Sequence, residues 1–404
     1  MGPAIVVAAF ARPQSLRRIL DSLAESHVPA GTPLVISIDY SKDAAETVRR
    51  EAENFSWPQG EKRILLHPAH LGLRRHILSC GDLSKDYGSI ILLEDDLYVS
   101  PEFYNYTLAA LKTFKDDPRI AGISLYNHRF NETASVPFCP IEDGFDSYFV
   151  QMASSWGQCW TSEQWSIFRR WHDENYQDQF DAVHLPKNVL TWPETSWKRY
   201  FIIFLVTTGR YFVYPRASLT TNFGDPGSHF WAKTTLHQVP LLMAPKLFRF
   251  SQLQDSIAVY DSYCEILPAK LKRIAPALAP YDFEVDFFGT KDLTQITAPY
   301  ILTTRMTRSA ALRFGLDLKP HELNVARGIE GSVISLARKE DCTTKRAVPL
   351  FQHMIYYHDL HPSWIKAAGR KIAETDLGRN AQQTGAKSVS DQIRKGDGHG
   401  EPNA

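Results

Sequence analysis

The chain has 404 residues, 44% of them hydrophobic and 22% charged, with 45 basic side chains balancing 45 acidic ones. That length admits two domains, or one large domain with additions, and the composition is that of a globular protein. A net charge of zero lacks the basic excess of a general nucleic-acid binder, so no nucleic-acid partner is expected.

The first hundred residues alternate strand and helix signals. "AIVVAAF" is an apolar run of strand length. "RPQSLRRILDSLAES" then places Leu16, Ile19, Leu20 and Leu23 at helical spacing, with Pro13 at its start. "PLVISIDYS" predicts a second strand, "KDAAETVRREAENF" a helix, "KRILLHP" a third strand and "HLGLRRHILSCGDLSKDY" a helix. "SIILLEDD" is the fourth strand. Such a series predicts an α/β fold with a mostly parallel sheet covered by helices on both faces. Ligands bind such sheets outside the C-terminal strand ends. The four strands here end in Arg12, Asp39, His67 and the trio Glu94, Asp95 and Asp96.

Next, "SPEFYNYTLAALKTFKDDP" predicts a helix with Ser100 as N-cap and Pro101 at its first position. "IAGISLYN" predicts another strand. Residues 138–229 are rich in aromatics, suited either to sugar stacking or to an ordinary core. Beyond residue 245, "YDFEVDFF", "APYILTTR" and "GSVISLA" predict strands and "RSAALRFGL" a short helix. The expected division is therefore a domain over 1–244, a C-terminal α/β accessory region over 245–376, and a polar disordered tail over 377–404.

Cys80, Cys139, Cys159, Cys264 and Cys342 have no CxxC spacing and read as free thiols in a reducing compartment. The apolar run at the N-terminus stops at Arg12, and that of residues 200–214 is broken by Thr207–Arg210. Both are too short to span a bilayer. A cytoplasmic protein is expected, with peripheral contact at the inner membrane face left open by basic stretches such as "AKLKRIAPALAP".

Three consecutive carboxylates after four aliphatics repel one another and add nothing to a core. Either the strand emerges into water there, or the acids hold a cation. Oxygen ligands at a strand end suit a hard divalent ion such as Mg²⁺ or Mn²⁺, usually with substrate phosphates completing the shell.

"LLEDDLYVSPEFYNY" resembles the Glu-Asp-Asp signature of GT-A fold glycosyltransferases, near the N-acetylglucosaminyltransferase I-like enzymes and related bacterial sugar transferases. "AFARPQSLRRIL", "SIDYS", "HLGLRRHIL", "SSWGQCWTSEQW" and "TNFGDPGSHF" extend the resemblance over about residues 4–235. It implies a Rossmann-like domain that binds a nucleotide-diphosphate sugar donor and a metal, Mn²⁺ or Mg²⁺. Asp96 would be the metal ligand, Asp95 would lie near the ribose and Glu94 near the donor sugar. Asp39 would receive a hydrogen bond from the base, which favours UDP-sugars, with Arg12 and His76 beside the nucleotide. His229 would contact a phosphate or the metal. The acceptor would be a glycan or lipid-linked glycan in bacterial surface polysaccharide synthesis.

In these relatives the proton-accepting carboxylate sits in an acidic, tryptophan-containing motif at a helix start. Here the segment is "LTWPETSWKRYF": Trp197 matches the tryptophan, but Thr195, Ser196 and Lys198 occupy its neighbouring positions. Glu194 is the nominated base, ahead of Asp173, Glu174 and Asp225. The alternatives are a catalytically silent nucleotide- or sugar-binding module, or a nucleotidyltransferase, whose glycine-rich basic loop is missing from "AFARPQSLRR".

Overall fold

The computed structural model describes residues 2–177, 180, 184–225, 234–348, 350–359 and 363. It divides into two compact units, residues 1–347 and 348–404. The expected tail, 377–404, lies outside the described residues.

The expected elements open the first unit as β1 (Ala4–Ala9), α1 (Pro13–Ala24), β2 (Leu34–Ile38), α2 (Ala45–Asn54), β3 (Lys62–Leu66), α3 (Leu73–Asp82), a single turn α4 (Ser84–Tyr87) and β4 (Ser89–Glu94). A short β5 (Leu97–Val99) leads to α5 (Phe103–Phe114) and β6 (Ile120–Ser124). Then come β7 (Phe130–Asn131), β8 (Val136–Pro137), β9 (Ser147–Val150), β10 (Gln158–Thr161), α6 (Ser162–Asn175), α7 (Lys187–Thr191), α8 (Trp197–Thr207), β11 (Tyr211–Pro215), β12 (Thr220–Asn222) and β13 (Val259–Tyr260).

The main sheet runs β13-β9-β11-β6-β10-β4-β1-β2-β3. Strands β4, β1, β2 and β3 are all parallel, which bears out the expected α/β architecture. Both faces of β1 and β4 are covered, and residues 4–7 and 90–93 are wholly buried. This is why the two strands read as unbroken apolar runs rather than alternating ones. Strand β10 enters antiparallel between β4 and β6, with Gln158 opposite Leu92. Helix α1 buries Leu16, Ile19, Leu20 and Leu23, the face its spacing predicted.

Helix α5 starts at Phe103 rather than beside Ser100. Ser100 Oγ accepts the Glu102 N–H at 3.1 Å, as expected of a cap, but Ser100 is also tied across the fold: its N–H donates to the Leu219 carbonyl at 2.8 Å, and its hydroxyl donates to the Leu242 carbonyl. Pro101 and Glu102 therefore turn before the helix begins.

The expected division between residues 244 and 245 falls inside the first unit, and the main sheet takes β13 from beyond it. After α9 (Pro268–Lys272), a second sheet is built from β14 (Phe283–Asp286), β15 (Tyr300–Thr303), β17 (Leu312–Phe314) and β18 (Ile334–Arg338), in the order β14-β15-β18-β17. Strand β16 (Arg305–Thr307) pairs with β19 (Cys342–Arg346), and α10 (His321–Ala326) lies between β17 and β18 in sequence. The helix expected in "RSAALRFGL" is instead strand β17. Its Leu312 and Phe314 pair with Leu336 and Ile334, so tertiary pairing overrides the local helical preference of the alanines. In the second unit, α11 spans Leu350–His358.

A buried ion lattice ties β14 to β16 and to the loop after β13. Asp286 is fully buried and accepts from Arg305 Nε at 2.6 Å and from the Thr290 and Lys291 N–H groups. Lys291 in turn pairs with Asp261 at 2.7 Å. Removing one partner of a buried pair strands the other charge. Arg305→Met should therefore lower stability by about 3–5 kcal/mol, read by urea denaturation.

Candidate active site

Hydrogen bonding across the parallel strands sets the site. Asp39 N donates to the Ala9 carbonyl at 2.9 Å, Asp95 N to Ala8 at 3.1 Å, and His67 N to Ile38 at 3.1 Å. The ends of β1 to β4 thus finish level, and their polar residues meet at one edge of the sheet.

Arg12, at the N-cap position of α1, does not cap the helix. Its guanidinium reaches back across the edge, pairing with Asp95 and lying 3.3 Å from Asp96 Oδ2. Asp95 also accepts the Phe10 N–H at 3.4 Å. One cation faces three acids, so negative charge is left over. Burial, Asp96 and Asp95 push the Glu94 carboxyl up to about 8. Burial raises Asp95 to about 6 despite Arg12. Glu94 Oε1 and Asp96 Oδ1 are buried oxygens with no hydrogen-bond partner among the described residues.

Asp39 is buried, and both of its oxygens are occupied. Oδ1 accepts the N–H groups of Tyr40 at 2.9 Å and Leu71 at 2.8 Å. Oδ2 accepts the Gly72 N–H at 3.0 Å and faces His70 Nδ1 at 3.0 Å. Burial works against ionisation, but these backbone donors hold its carboxyl below the usual range. Gly72 sits at φ 76° as it enters α3, in the left-handed region that glycine adopts without strain. His76, on α3, is buried with Nε2 2.9 Å from Ser37 Oγ, and His67 Nε2 lies 3.1 Å from the same hydroxyl. Burial drops His76 to about 4, so its imidazole is neutral.

The late glycine-bearing loop also reaches this edge. Strand β12 pairs antiparallel with β5, and Phe223 N donates to the Asp96 carbonyl at 2.8 Å. Asp225 is held against α1 by Arg18 and by Ser15 Oγ at 2.7 Å. His229 lies outside the described residues.

Of the tryptophans, Trp160 and Trp197 are core, 5.8 Å apart edge-on. Trp156 is only half buried and lies in the loop before β10, whose first residue, Gln158, pairs with Leu92 of β4. Glu194 is exposed in the turn before α8 and makes no hydrogen bond or ion pair among the described residues. Asp173 is exposed and paired with Arg169.

The structure therefore brings Arg12, Asp39, His76, Glu94, Asp95 and Asp96 to one edge. Sequence reasoning missed His70 as a partner of Asp39, and the pairing of Lys198 with Glu132 at 3.4 Å. The first was accessible from "HPAHLGLRRH", three histidines between a strand end and a helix. The second joins residues 66 positions apart and left no local signal.

No family model matches the chain. Among curated proteins it is similar to an alpha-1,3-mannosyl-glycoprotein 2-beta-N-acetylglucosaminyltransferase of Arabidopsis thaliana, 25% identical over 237 residues. The chain resembles a glycosyltransferase. This match bears out the likeness to N-acetylglucosaminyltransferase I-like enzymes read from the sequence. It covers 56% of the chain and 48% of the relative, so the chain spans about half the length of that curated protein. Among solved structures it is similar to a mannosyltransferase from Pyrobaculum calidifontis in complex with GDP-Man and Mn²⁺, at 14% identity and a TM-score of 0.30, over 42% of this chain and 47% of that one. It is also similar to S. aureus TarS in complex with UDP, at 11% identity and a TM-score of 0.33, over 54% and 59% of the two chains.

The raised Glu94 carboxyl has a signed consequence for stability. With a folded value of about 8 against 4.5 unfolded, the folded state holds a proton that the unfolded state releases between those pH values. Stability then falls as pH rises through that window. Glu94→Gln should melt close to wild type at pH 4.5. At pH 8.5, without divalent cations, it should be more stable by at least about 1.4 kcal/mol, the worth of one pKa unit.

Proposed function

We propose that the chain is a metal-dependent, inverting glycosyltransferase. It would move a sugar from a nucleotide-diphosphate sugar, preferably a UDP-sugar, to a hydroxyl of a glycan or glycolipid in bacterial surface polysaccharide synthesis. The observation that carries this reading is the pair of buried, unpartnered oxygens on Glu94 and Asp96, at the sheet edge where such folds bind ligands.

Those oxygens and the surplus negative charge fit a hard divalent cation, Mn²⁺ or Mg²⁺, with Asp96 as its protein ligand. Among the described residues no group of three or more His, Cys, Asp or Glu forms a metal cage. That suits an ion held by one or two carboxylates plus substrate phosphates. When bound, the ion supplies positive charge to the departing diphosphate.

The chain's own residues divide the remaining work. Asp95, fixed by Arg12 and the Phe10 N–H, would face the ribose. Arg12 brings a permanent positive charge beside the nucleotide. Glu94 would contact the donor sugar, and in its protonated form it can donate a hydrogen bond there. Asp39 already has four donors, about the number its lone pairs accept. A base N–H would displace His70, its exposed partner, and leave the three backbone bonds intact. Neutral His76 supports Ser37 below that base position. Among the described residues no helix is long and apolar enough to cross a membrane, and a lipid-linked acceptor would be met at the membrane's inner face.

Thr195 and Ser196, standing where the relatives carry acids, favour a second reading: a catalytically silent nucleotide- or sugar-binding module.

UDP release from a panel of UDP-hexoses and UDP-N-acetylhexosamines, with and without Mn²⁺, separates the two. We expect metal-dependent release by wild type and a loss of about 100-fold or more in Asp96→Ala. Equal release by the variant would overturn the metal assignment. Nucleotide binding without hydrolysis or transfer over an acceptor panel would establish the silent module.

A further inference from the structure

An inverting displacement needs a carboxylate on the acceptor side of the sugar, away from the diphosphate. The acids at the sheet edge do not supply it. On the reading above Asp96 faces the metal, Asp95 the ribose and Glu94 the donor sugar, while Asp225 is engaged by Ser15 and Arg18 and Glu194 stands exposed in its turn.

Among the described residues, Glu132 is a carboxylate linked to this edge through Lys198, whose charge also acts on Glu94. Glu132 follows β7 directly. Its backbone is set by Asn131, whose Oδ1 accepts the N–H groups of Thr133 and Ala134, each at 3.0 Å, while its Nδ2 donates to the Tyr263 carbonyl at 3.0 Å. The Glu132 side chain is 23% exposed, so it is sheltered yet reachable. Its partner is Lys198, in the first turn of α8, with Nζ at 3.4 Å. Lys198 Nζ also lies 4.6 Å from the Trp192 ring and 5.5 Å from the Trp156 ring. Trp156 lies in the loop just before β10, at the C-terminal end of β4, and the His237 ring packs against it with centroids 4.6 Å apart. Glu132, Trp192 and Trp156 therefore surround Lys198 Nζ at the start of α8. The Lys198 charge acts on both Glu94 and Glu132.

We propose that Glu132, positioned by Lys198, is the catalytic base of the transfer, in place of the acid missing beside Trp197. The assignment rests on the glycosyltransferase reading. In the step, the acceptor hydroxyl oxygen bonds to the anomeric carbon and the bond from that carbon to the phosphate oxygen breaks. The diphosphate leaves with the electron pair, and a Glu132 carboxylate oxygen takes the hydroxyl proton.

The electrostatics agree with the geometry. Burial acts to raise the Glu132 carboxyl, but Lys198 and His128 hold it below the usual range, with His237 adding to the effect. It is therefore ionised at neutral pH and able to accept a proton. Lys198 does the converse of the relatives' pattern. It occupies a position beside Trp197 in the helix-start motif, but it brings a carboxylate from another loop to that helix start.

The test uses the full chain with Mn²⁺ and the UDP-sugar panel, with UDP affinity by calorimetry and melting temperature as controls. Glu132→Gln should lower kcat for UDP release about 100-fold or more. UDP affinity should stay within about threefold, because the residue lies off the diphosphate side. Glu132→Asp, which keeps the charge of the ion pair, should fold as wild type and lose about tenfold through its shorter reach. Turnover of Glu132→Gln within threefold of wild type would overturn the assignment alone, as would a loss of UDP affinity matching its loss of rate. If wild type releases no UDP from any donor, the assignment falls together with the glycosyltransferase reading.

Discussion

Uncompensated negative charge at the end of β4 is the constraint on which the rest of the site depends. The strand is wholly buried up to Leu93, so its acids emerge where water is scarce and desolvation is costly. Arg12 answers two of them and leaves Glu94 without a cation. A protein gains no stability from such a group, and the protonated state that burial favours spares it a buried charge only up to about pH 8. Local rules of burial and pairing are broken here, as they commonly are at sites retained for chemistry.

Sheet order explains how remote segments come to serve this edge. Inserting β10 antiparallel beside β4 places its preceding loop, which carries Trp156, at the C-terminal end of β4. Pairing β12 with β5 carries residues 222–225 to the carbonyl of Asp96. The second connection also brings Asp225, which Ser15 and Arg18 hold against α1. The two connections build walls at this edge, one aromatic and one from glycine-bearing backbone, and leave the strand ends as the floor.

The sequence made the first half of the chain legible because its signals are local. A fully covered parallel strand must be apolar throughout, and its first polar residue marks the edge, so Arg12, Asp39 and Glu94 could be placed before any coordinates. Helix α1 declared its buried face by spacing alone. What could not be read depends on partners distant in sequence. Ser100 resembles an N-cap until the Leu219 and Leu242 carbonyls claim its groups. Residues 312–314 resemble a helix until β18 offers them a strand to pair with. Lys198 looks like the loss of an acid at the start of α8, and only the fold reveals that it holds Glu132 there instead.

Two clusters of buried charge in the same unit show why burial alone does not mark a functional group. Asp286 is less exposed than any acid of the trio, yet it has Arg305 and two backbone donors, and Lys291 nearby has its own carboxylate. Glu265 beside them accepts the Phe288 N–H at 2.7 Å and keeps one buried oxygen without a hydrogen bond among the described residues, but the ion pairs of that lattice join its strands. The trio is open: two of its buried oxygens accept nothing among the described residues, and its single cation is shared. Since a buried polar atom without a partner costs free energy on the order of 1–3 kcal/mol, its retention asks for a ligand that the folded chain does not itself provide. Depth alone does not separate the two clusters: what sets the trio apart is that its unpartnered oxygens and surplus negative charge stand together at the C-terminal edge of the parallel strands.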